Sequence, residues 1–287
     1  MFNKRHIVRT IAATVSILAL SFTAACGSGQ STAANSTDSD DITQQTVTPG
    51  KLTIATGQPA YEPWVMNDKP ESGEGYEAAV AYAVADKLGF KKSDVVWTRT
   101  AFDTAIAPGA KDWDFNIQQF GITDERKKAV DFSSSYYNDS QSVVVKKDSK
   151  FANATKVSDL KDATVGVMVG TLAYDYAKAN IKDDIQTFND DAALAQALDA
   201  GQIDVLVTST VECVYMVQSE QVKDSKVLGR LPDSEDKSGM GIVLPKDSKL
   251  TAAVTKAVDD LNADGTIKKL QDKWLAEYTT DLTELKK

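Results

Sequence analysis

The sequence predicts an α/β protein of two lobes, the second inserted into the first, on three observations. Short apolar runs that read as strands alternate with helical stretches, the pattern that builds a largely parallel sheet covered by helices. That alternation runs from residue 51 to about 147 and then starts again. The phrase "VVVKKDSK", ending at Lys150, is echoed by "IVLPKDSK", ending at Lys249, each setting an extended apolar run before Lys-Asp-Ser-Lys. Two such phrases at the borders of the second unit mark the expected crossings into and out of it. The expected first lobe is therefore 51–147 with 245–287, the second is 148–244, and the hinges are the strands ending near Lys147 and Lys246.

In chain order, residues 1–25 come first, with Lys4, Arg5 and Arg9, no acid, and an apolar and small-residue run from Thr10 to Ala25. That run is shorter than the ~20 residues a bilayer-spanning helix needs. A basic start, a short apolar middle and small residues at the end read as an export signal. "TAAC" then puts Cys26 after two alanines, which resembles a lipobox, where bacterial lipoproteins are cut and the new N-terminal cysteine is lipidated; Thr23 stands where leucine is preferred. Residues 26–50 follow as a lipidated flexible tether, rich in Ser, Thr, Asp and Gly, with no hydrophobic period. As a coil the tether would reach roughly 25–30 Å.

Folded sequence begins with the strand-like "KLTIAT" at 51–56, and "GYEAAVAYAVADKLGF" at 75–90 is a helix of strong formers with a glycine stop at Gly89. "DVVWT" (94–98), "FNIQQ" (115–119) and "SVVVKK" (142–147) read as strands. In the second unit, strands are expected at 163–169 and 203–209 and helices at 171–180, 191–201 and 210–220. Helices at about 249–263 and 265–277 return to the first lobe.

Composition excludes several functions. Cleavage before Cys26 leaves 29 basic against 41 acidic side chains, which argues against nucleic acid and against electrostatic attachment to anionic lipid. The lipid chains would do the anchoring. With Cys26 lipidated, Cys213 has no disulfide partner and reads as a small buried hydrophobe. The single histidine, His6, leaves with the signal, so the mature chain has no imidazole base and no His-ligated metal; no cofactor, metal or catalytic residue is expected. The glycines at 27–29 and 73–75 are tether and turn residues, the pairs Asp190-Asp191 and Asp259-Asp260 are helix caps or exposed charge, and Trp97, Trp113 and Trp274 are structural.

The stretch "QQFGITDERKKAVDFSSSYY" (118–137) packs five charges, Asp124 to Lys128, ahead of an apolar and aromatic run. On residue types alone this is a solvated loop, with an inward-facing Arg126 as the alternative. Its portion from Gly121 to Ser133 resembles the signature of the bacterial solute-binding proteins of family 3, the amino-acid receptors of ABC importers. "GYE" (75–77), "AFDTAI" (101–106), "DLKDATVGVMVGT" (159–171), "DYAKANI" (175–181) and "GTIKKLQDKWL" (265–275) match in the same order, so the likeness covers about 50–280. It implies a periplasmic-binding-protein type II-like fold, two α/β lobes joined by two hinge strands with the ligand cleft between them.

Physical needs and the resemblance then assign residues. An enclosed carboxylate requires a counter-charge, and a guanidinium offers two parallel donors at matching spacing. The resemblance makes Arg126 that group, with Thr123 shaping its turn and backbone N–H groups near Gln119 and Gly121 adding donors. Gly170 and Thr171, between a strand and a helix, resemble the second clamp on the same carboxylate. Tyr61, Trp64 and Phe102 stand where the family places rings around the ligand's aliphatic part, core packing being the alternative for each. For the ammonium, Ser209 and Gln58 replace the family's acids; Glu212 or Glu62 compensates or is a surface acid, or the ligand lacks a free α-ammonium.

The resulting expectation is a monomeric, non-enzymatic lipoprotein on the outer face of the cell membrane. It captures a small carboxylate ligand, a polar amino acid, and passes it to an ABC transporter permease. A dehydratase-like enzyme using Glu212 or Glu62 as the acid, or a ligand sensor unlinked to transport, are the alternatives.

Overall fold

The computed structural model describes residues 41–279 and 282–287. The export segment, Cys26 and the tether up to residue 40 lie outside the described residues. In chain order the strands are β1 (Leu52–Thr56), β2 (Val95–Arg99), β3 (Phe115–Asn116), β4 (Val130–Tyr137), β5 (Gln141–Lys146), β6 (Val165–Met168), β7 (Gln186–Phe188), β8 (Val205–Ser209), β9 (Ser225–Arg230) and β10 (Met240–Pro245). The helices are α1 (Tyr76–Lys87), α2 (Phe102–Ile106), α3 (Leu172–Asn180), α4 (Asp191–Asp199), α5 (Thr210–Gln218), α6 (Thr251–Ala263) and α7 (Thr266–Trp274).

Two five-stranded sheets result, ordered β2-β1-β3-β10-β4 in the first lobe and β7-β6-β8-β5-β9 in the second. The expectation of largely parallel sheets needs correction. β1, β2 and β3 pair in parallel, as do β6, β7 and β8, but β10 and β5 run antiparallel to both their neighbours. Both sheets are therefore mixed.

The second lobe shows why. Val143, Val145, Val165, Val167, Val205 and Val207 pack into one cluster, while Val144 and Leu206 pack into another on the opposite face. A strand buried on both faces reads as an unbroken apolar run, so "VVV" is the signature of a central strand. β5 accordingly sits between β8 and β9 in the second sheet, and β10 sits between β3 and β4 in the first. The crossings precede these strands, at 138–140 and 231–239, instead of following them near Lys147 and Lys246. They are tied together: Asp236 N–H donates to Asp139 O at 2.9 Å, and Asn138 Nδ2 donates to Asp236 O at 2.9 Å. Each Lys-Asp-Ser-Lys is a turn at a strand's far end, closed by Ser149 N–H to Lys146 O and Ser248 N–H to Pro245 O, both 3.1 Å.

Both ends of the described chain also depart from expectation. The expected tether ends before residue 50, because Ile42 packs against the first-lobe core and Val47 N–H donates to the buried Asp114 Oδ1 at 2.7 Å. The C-terminal residues, expected in the first lobe, lie along β9 of the second: Arg230 N–H donates to Thr283 O and Leu285 N–H to Arg230 O, each at 2.9 Å, with Leu285 buried.

In the first lobe, α1 buries Tyr76, Val80, Ala81 and Val84 with Leu52 and Ile54 of β1. It begins at Gly75, where φ is +99° and a Cβ would lie 2.5 Å from Trp64 O, so only glycine fits. The strand expected at 115–119 pairs only over Phe115–Asn116. Beyond it, Gln119 has φ +50° and the chain turns toward the other lobe. Trp97 and Trp274 pack against the main first-lobe core and Trp113 lies in a smaller cluster, while Cys213 is buried in the second lobe. Among the described residues, no helix is long and apolar enough to cross a membrane, and no group of three His, Cys, Asp or Glu is placed to hold a metal.

Candidate functional site

A cavity of about 220 Å³ lies between the lobes, lined by residues of both. Its floor on the first lobe is the segment after β3. Arg126 opens a short 3-10 turn (Arg126–Lys128), and Thr123 sets that turn by accepting Arg126 N–H on its Oγ1 at 3.1 Å and Lys127 N–H on its carbonyl at 3.0 Å. Thr123 itself does not line the cavity. The turn divides the charged run: Lys127 and Lys128 are exposed and pair with Asp124 and Glu125, whereas Arg126 is half-buried and lines the cavity.

The Arg126 guanidinium bridges the lobes. Nη1 donates to Gly121 O at 2.6 Å, and Nη2 donates across the cleft to Gly170 O at 2.8 Å. Its carbon sits 5.5 Å from the centre of the Phe102 ring, which stacks on Phe120 at 4.6 Å. Burial pulls the Arg126 pKa down, and Asp175 and Asp236 push it back up; a guanidinium stays charged throughout. Gly121 allows the close approach. A Cβ there would lie 2.5 Å from Leu172 Cδ1 and 2.8 Å from Asp236 Oδ2.

From the second lobe, Thr171 caps α3, its Oγ1 accepting Tyr174 N–H at 3.2 Å and donating to Met168 O at 2.8 Å. Gly170 has φ +73° and contributes its carbonyl to Arg126; the residue does not line the cavity, so of the expected second clamp only Thr171 faces it. Gln119 also needs correction. It lines the cavity, but its N–H donates to Glu77 Oε1 at 2.8 Å, and its side chain and the Tyr136 hydroxyl bond the same carboxylate.

The aromatic wall is divided. Tyr61 is half-buried on the cavity, and its hydroxyl accepts Ala192 N–H from the start of α4 at 3.3 Å. Burial raises its phenol pKa. Trp64, 1% exposed, is chiefly a core residue packed edge-on to Tyr137 at 5.6 Å. One edge reaches the cavity, and Nε1–H donates to Glu212 Oε2 at 3.3 Å.

Around the expected ammonium position, Ser209 faces the cavity, but its hydroxyl is engaged: Oγ accepts Glu212 N–H at 3.3 Å as the cap of α5, and the O–H donates to Asp139. Glu212, 4% exposed, lines the cavity, and its Oε1 has no hydrogen-bond partner among the described residues. Burial and then the Asp191 charge push its pKa well up. Glu62 lies outside the cavity lining, accepting Asn67 N–H at 2.9 Å and the Tyr215 hydroxyl at 3.4 Å. Gln58 lines the cavity.

Four acids on the cavity were not expected there. Asp190 is the cap of α4, accepting Ala193 N–H at 2.8 Å, as a helix-end reading anticipates. Its neighbour Asp191 lines the cavity with an unpartnered Oδ1, its pKa pushed up to about 6 by burial and then by Asp190. Asp236 lines it from one crossing; Oδ1 accepts Ser238 and Gly239 N–H at 3.1 and 3.0 Å, while Oδ2 has no partner among the described residues. Asp139 lines it from the other crossing, its pKa raised by burial to about 6. A sequence signal existed for the last two, since each sits in a polar stretch just before a strongly apolar strand.

Residues 52–277 match the family described as bacterial extracellular solute-binding proteins, family 3. The L-cystine-binding protein TcyJ of Escherichia coli (strain K12) is 29% identical over 223 residues, 77% of this chain and 81% of that protein. The L-arginine-binding protein of Pseudomonas aeruginosa is 28% identical over 233 residues, 76% of this chain and 85% of that protein. Among solved structures, an ancestral arginine-binding protein bound to arginine superposes with a TM-score of 0.67 at 31% identity, covering 78% of this chain and 98% of that one.

Proposed function

This chain belongs to the bacterial extracellular solute-binding proteins, family 3, and we propose that it captures a free polar amino acid by closure of its two lobes and delivers it to the permease of an ABC importer. The observation that carries this reading is Arg126, whose guanidinium stands between Gly121 O of one lobe and Gly170 O of the other, in a cavity lined by both. With ligand present, the α-carboxylate takes up the guanidinium's remaining donors, and Thr171 approaches from the opposite lobe. Phe102 and Tyr61 enclose the aliphatic part. Lobe closure about the crossings at 138–140 and 231–239 excludes water from these charges, which strengthens them.

Anchoring through lipid on Cys26 and action as a monomer at the outer face of the membrane complete the proposal, supported by the export-like start and the "TAAC" stretch. One feature favours a second reading. Glu212, buried and with a raised pKa, has the properties of a general acid, which would suit a dehydratase-like enzyme. Mass spectrometry of protein–ligand mixtures separates the two, since turnover is seen only with an enzyme.

A thermal-shift panel of amino acids, keto acids and short peptides tests the main reading. A true ligand at 100 times its Kd stabilises by about 2.7 kcal/mol. Arg126→Ala leaves an enclosed carboxylate unpaired, at a cost of about 3–5 kcal/mol, or roughly two to four decades in Kd. Wild-type affinity within threefold in that variant would sink the assignment.

A further inference from the structure

The charge around the cavity is lopsided. Arg126 is the one basic side chain among its described lining residues, against Asp139, Asp190, Asp191, Glu212 and Asp236. Two of these acids are engaged by the fold: Asp190 caps α4, and Asp139 accepts the N–H groups of Ser140 and Val211 and the Ser209 hydroxyl. The other three keep an oxygen without a hydrogen-bond partner among the described residues: Asp191 Oδ1, Glu212 Oε1 and Asp236 Oδ2. Buried acceptors are nearly always satisfied in a folded protein. With Gln118 Oε1 that makes four unsatisfied acceptors on a single cavity, one of them on a side chain only 4% exposed, and they call for donors that the ligand brings.

The carboxylate oxygens fall in two places. Asp236 lies at the Arg126 end, close enough to raise the guanidinium's pKa and beside Gly121. Glu212 and Asp191 form a second group, from α5 and α4, against the indole of Trp64 and the Tyr61 ring. A free amino acid holds its ammonium next to its carboxylate. With the carboxylate on Arg126, the ammonium therefore falls to Asp236, and the Glu212–Asp191 pair faces the end of the ligand's side chain.

Resting on the amino-acid reading above, we propose that the ligand is a cationic amino acid, its side-chain guanidinium or ammonium held by Glu212 and Asp191 beside the Tyr61 ring. Two enclosed carboxylates favour a cation over a neutral amide of the same shape. The same pair disfavours any ligand whose far end is a carboxylate, because like charges brought together out of water repel strongly. Glutamate, with a lone carboxylate at its far end, meets that repulsion; arginine, lysine and ornithine do not.

Calorimetry on the full chain with L-arginine, L-lysine, L-citrulline, L-glutamine and L-glutamate tests this. Citrulline is decisive because it keeps arginine's shape without its charge. Arginine or lysine should bind at least about a hundredfold more tightly than citrulline or glutamine, with glutamate weakest. Glu212→Gln and Asp191→Asn should each collapse the preference for arginine over citrulline by about tenfold or more. The wild-type panel decides the matter even if a variant fails to fold. Citrulline or glutamine binding as tightly as the cationic ligands overturns this inference and leaves the amino-acid reading standing. Absence of binding by every member overturns both.

Discussion

Arg126 and Asp191 show how far single residues can be read without coordinates. Arg126 sits in a charged run whose types alone favour solvent, and only the surrounding motif singled it out from Lys127 and Lys128. Asp191 carries no such mark. It follows an aspartate that caps α4, and a second acid at a helix start is as natural on the surface as in a cleft. Its placement depends on α4 lying opposite the Tyr61 loop, a tertiary fact with no local signature. Glu77 belongs to the same class: quoted within "GYE" but given no role, it is a fully buried carboxylate holding Gln119 in a left-handed conformation. Burial raises its pKa from 4.5 to about 7, against the opposing hydrogen bonds of Tyr136 and Gln119. The folded protein thus keeps this proton longer than the unfolded chain does. The group's favourable contribution is complete below about pH 4.5 and is lost as pH rises to about 7, roughly 3 kcal/mol in all. Glu77→Gln cannot ionise, so melting temperatures measured across that window should fall less steeply than in wild type. An unchanged slope rejects the assignment.

Helices were legible because their formers and stops are local, and α1, α3, α4 and α5 lie within two or three residues of expectation. Strands were legible as apolar runs, but their sheet membership was not. "VVV" in β5 and "IVLP" in β10 look alike, yet they join different sheets because pairing partners are chosen over long sequence distances. β4 was missed for a related reason. Its burial follows no simple alternation, and its pairing with β10 carries two register shifts, so no period of two appears in "VDFSSSYY". At this scale the junction of the Gly121 loop with α3 is testable. Gly121→Ala would place a Cβ 2.5 Å from Leu172 Cδ1 when the lobes meet. Overpacking of this kind costs about 1–3 kcal/mol. Ligand affinity should drop about five- to a hundredfold. Adding Leu172→Ala should recover part of the affinity; no recovery would mean that the contact is not what limits closure.

The two-lobe architecture was readable in the recurrence of the α/β pattern; the chain's path between lobes was displaced by one strand at each crossing. That displacement puts Asp139 and Asp236 at the crossings and on the cavity wall, so the inter-lobe segments and the cavity share residues. On the proposed function, proton release should accompany ligand binding. Burial and neighbouring acids hold the pKa of Asp191 up at about 6 and that of Glu212 well above its ordinary value. A bound cation reverses this by favouring the charged carboxylates. Binding should then expel protons, and affinity should rise as pH increases from about 5 to 7. Calorimetric heats at pH 6 in buffers of different ionisation enthalpy would reveal the release; identical heats in all buffers would exclude it. Finally, because Thr283 and Leu285 are laid along β9, the last residues travel with the second lobe although α6 and α7 belong to the first. A fluorophore attached at Lys287, paired with one on the exposed outer edge of β2, would therefore report opening and closing directly.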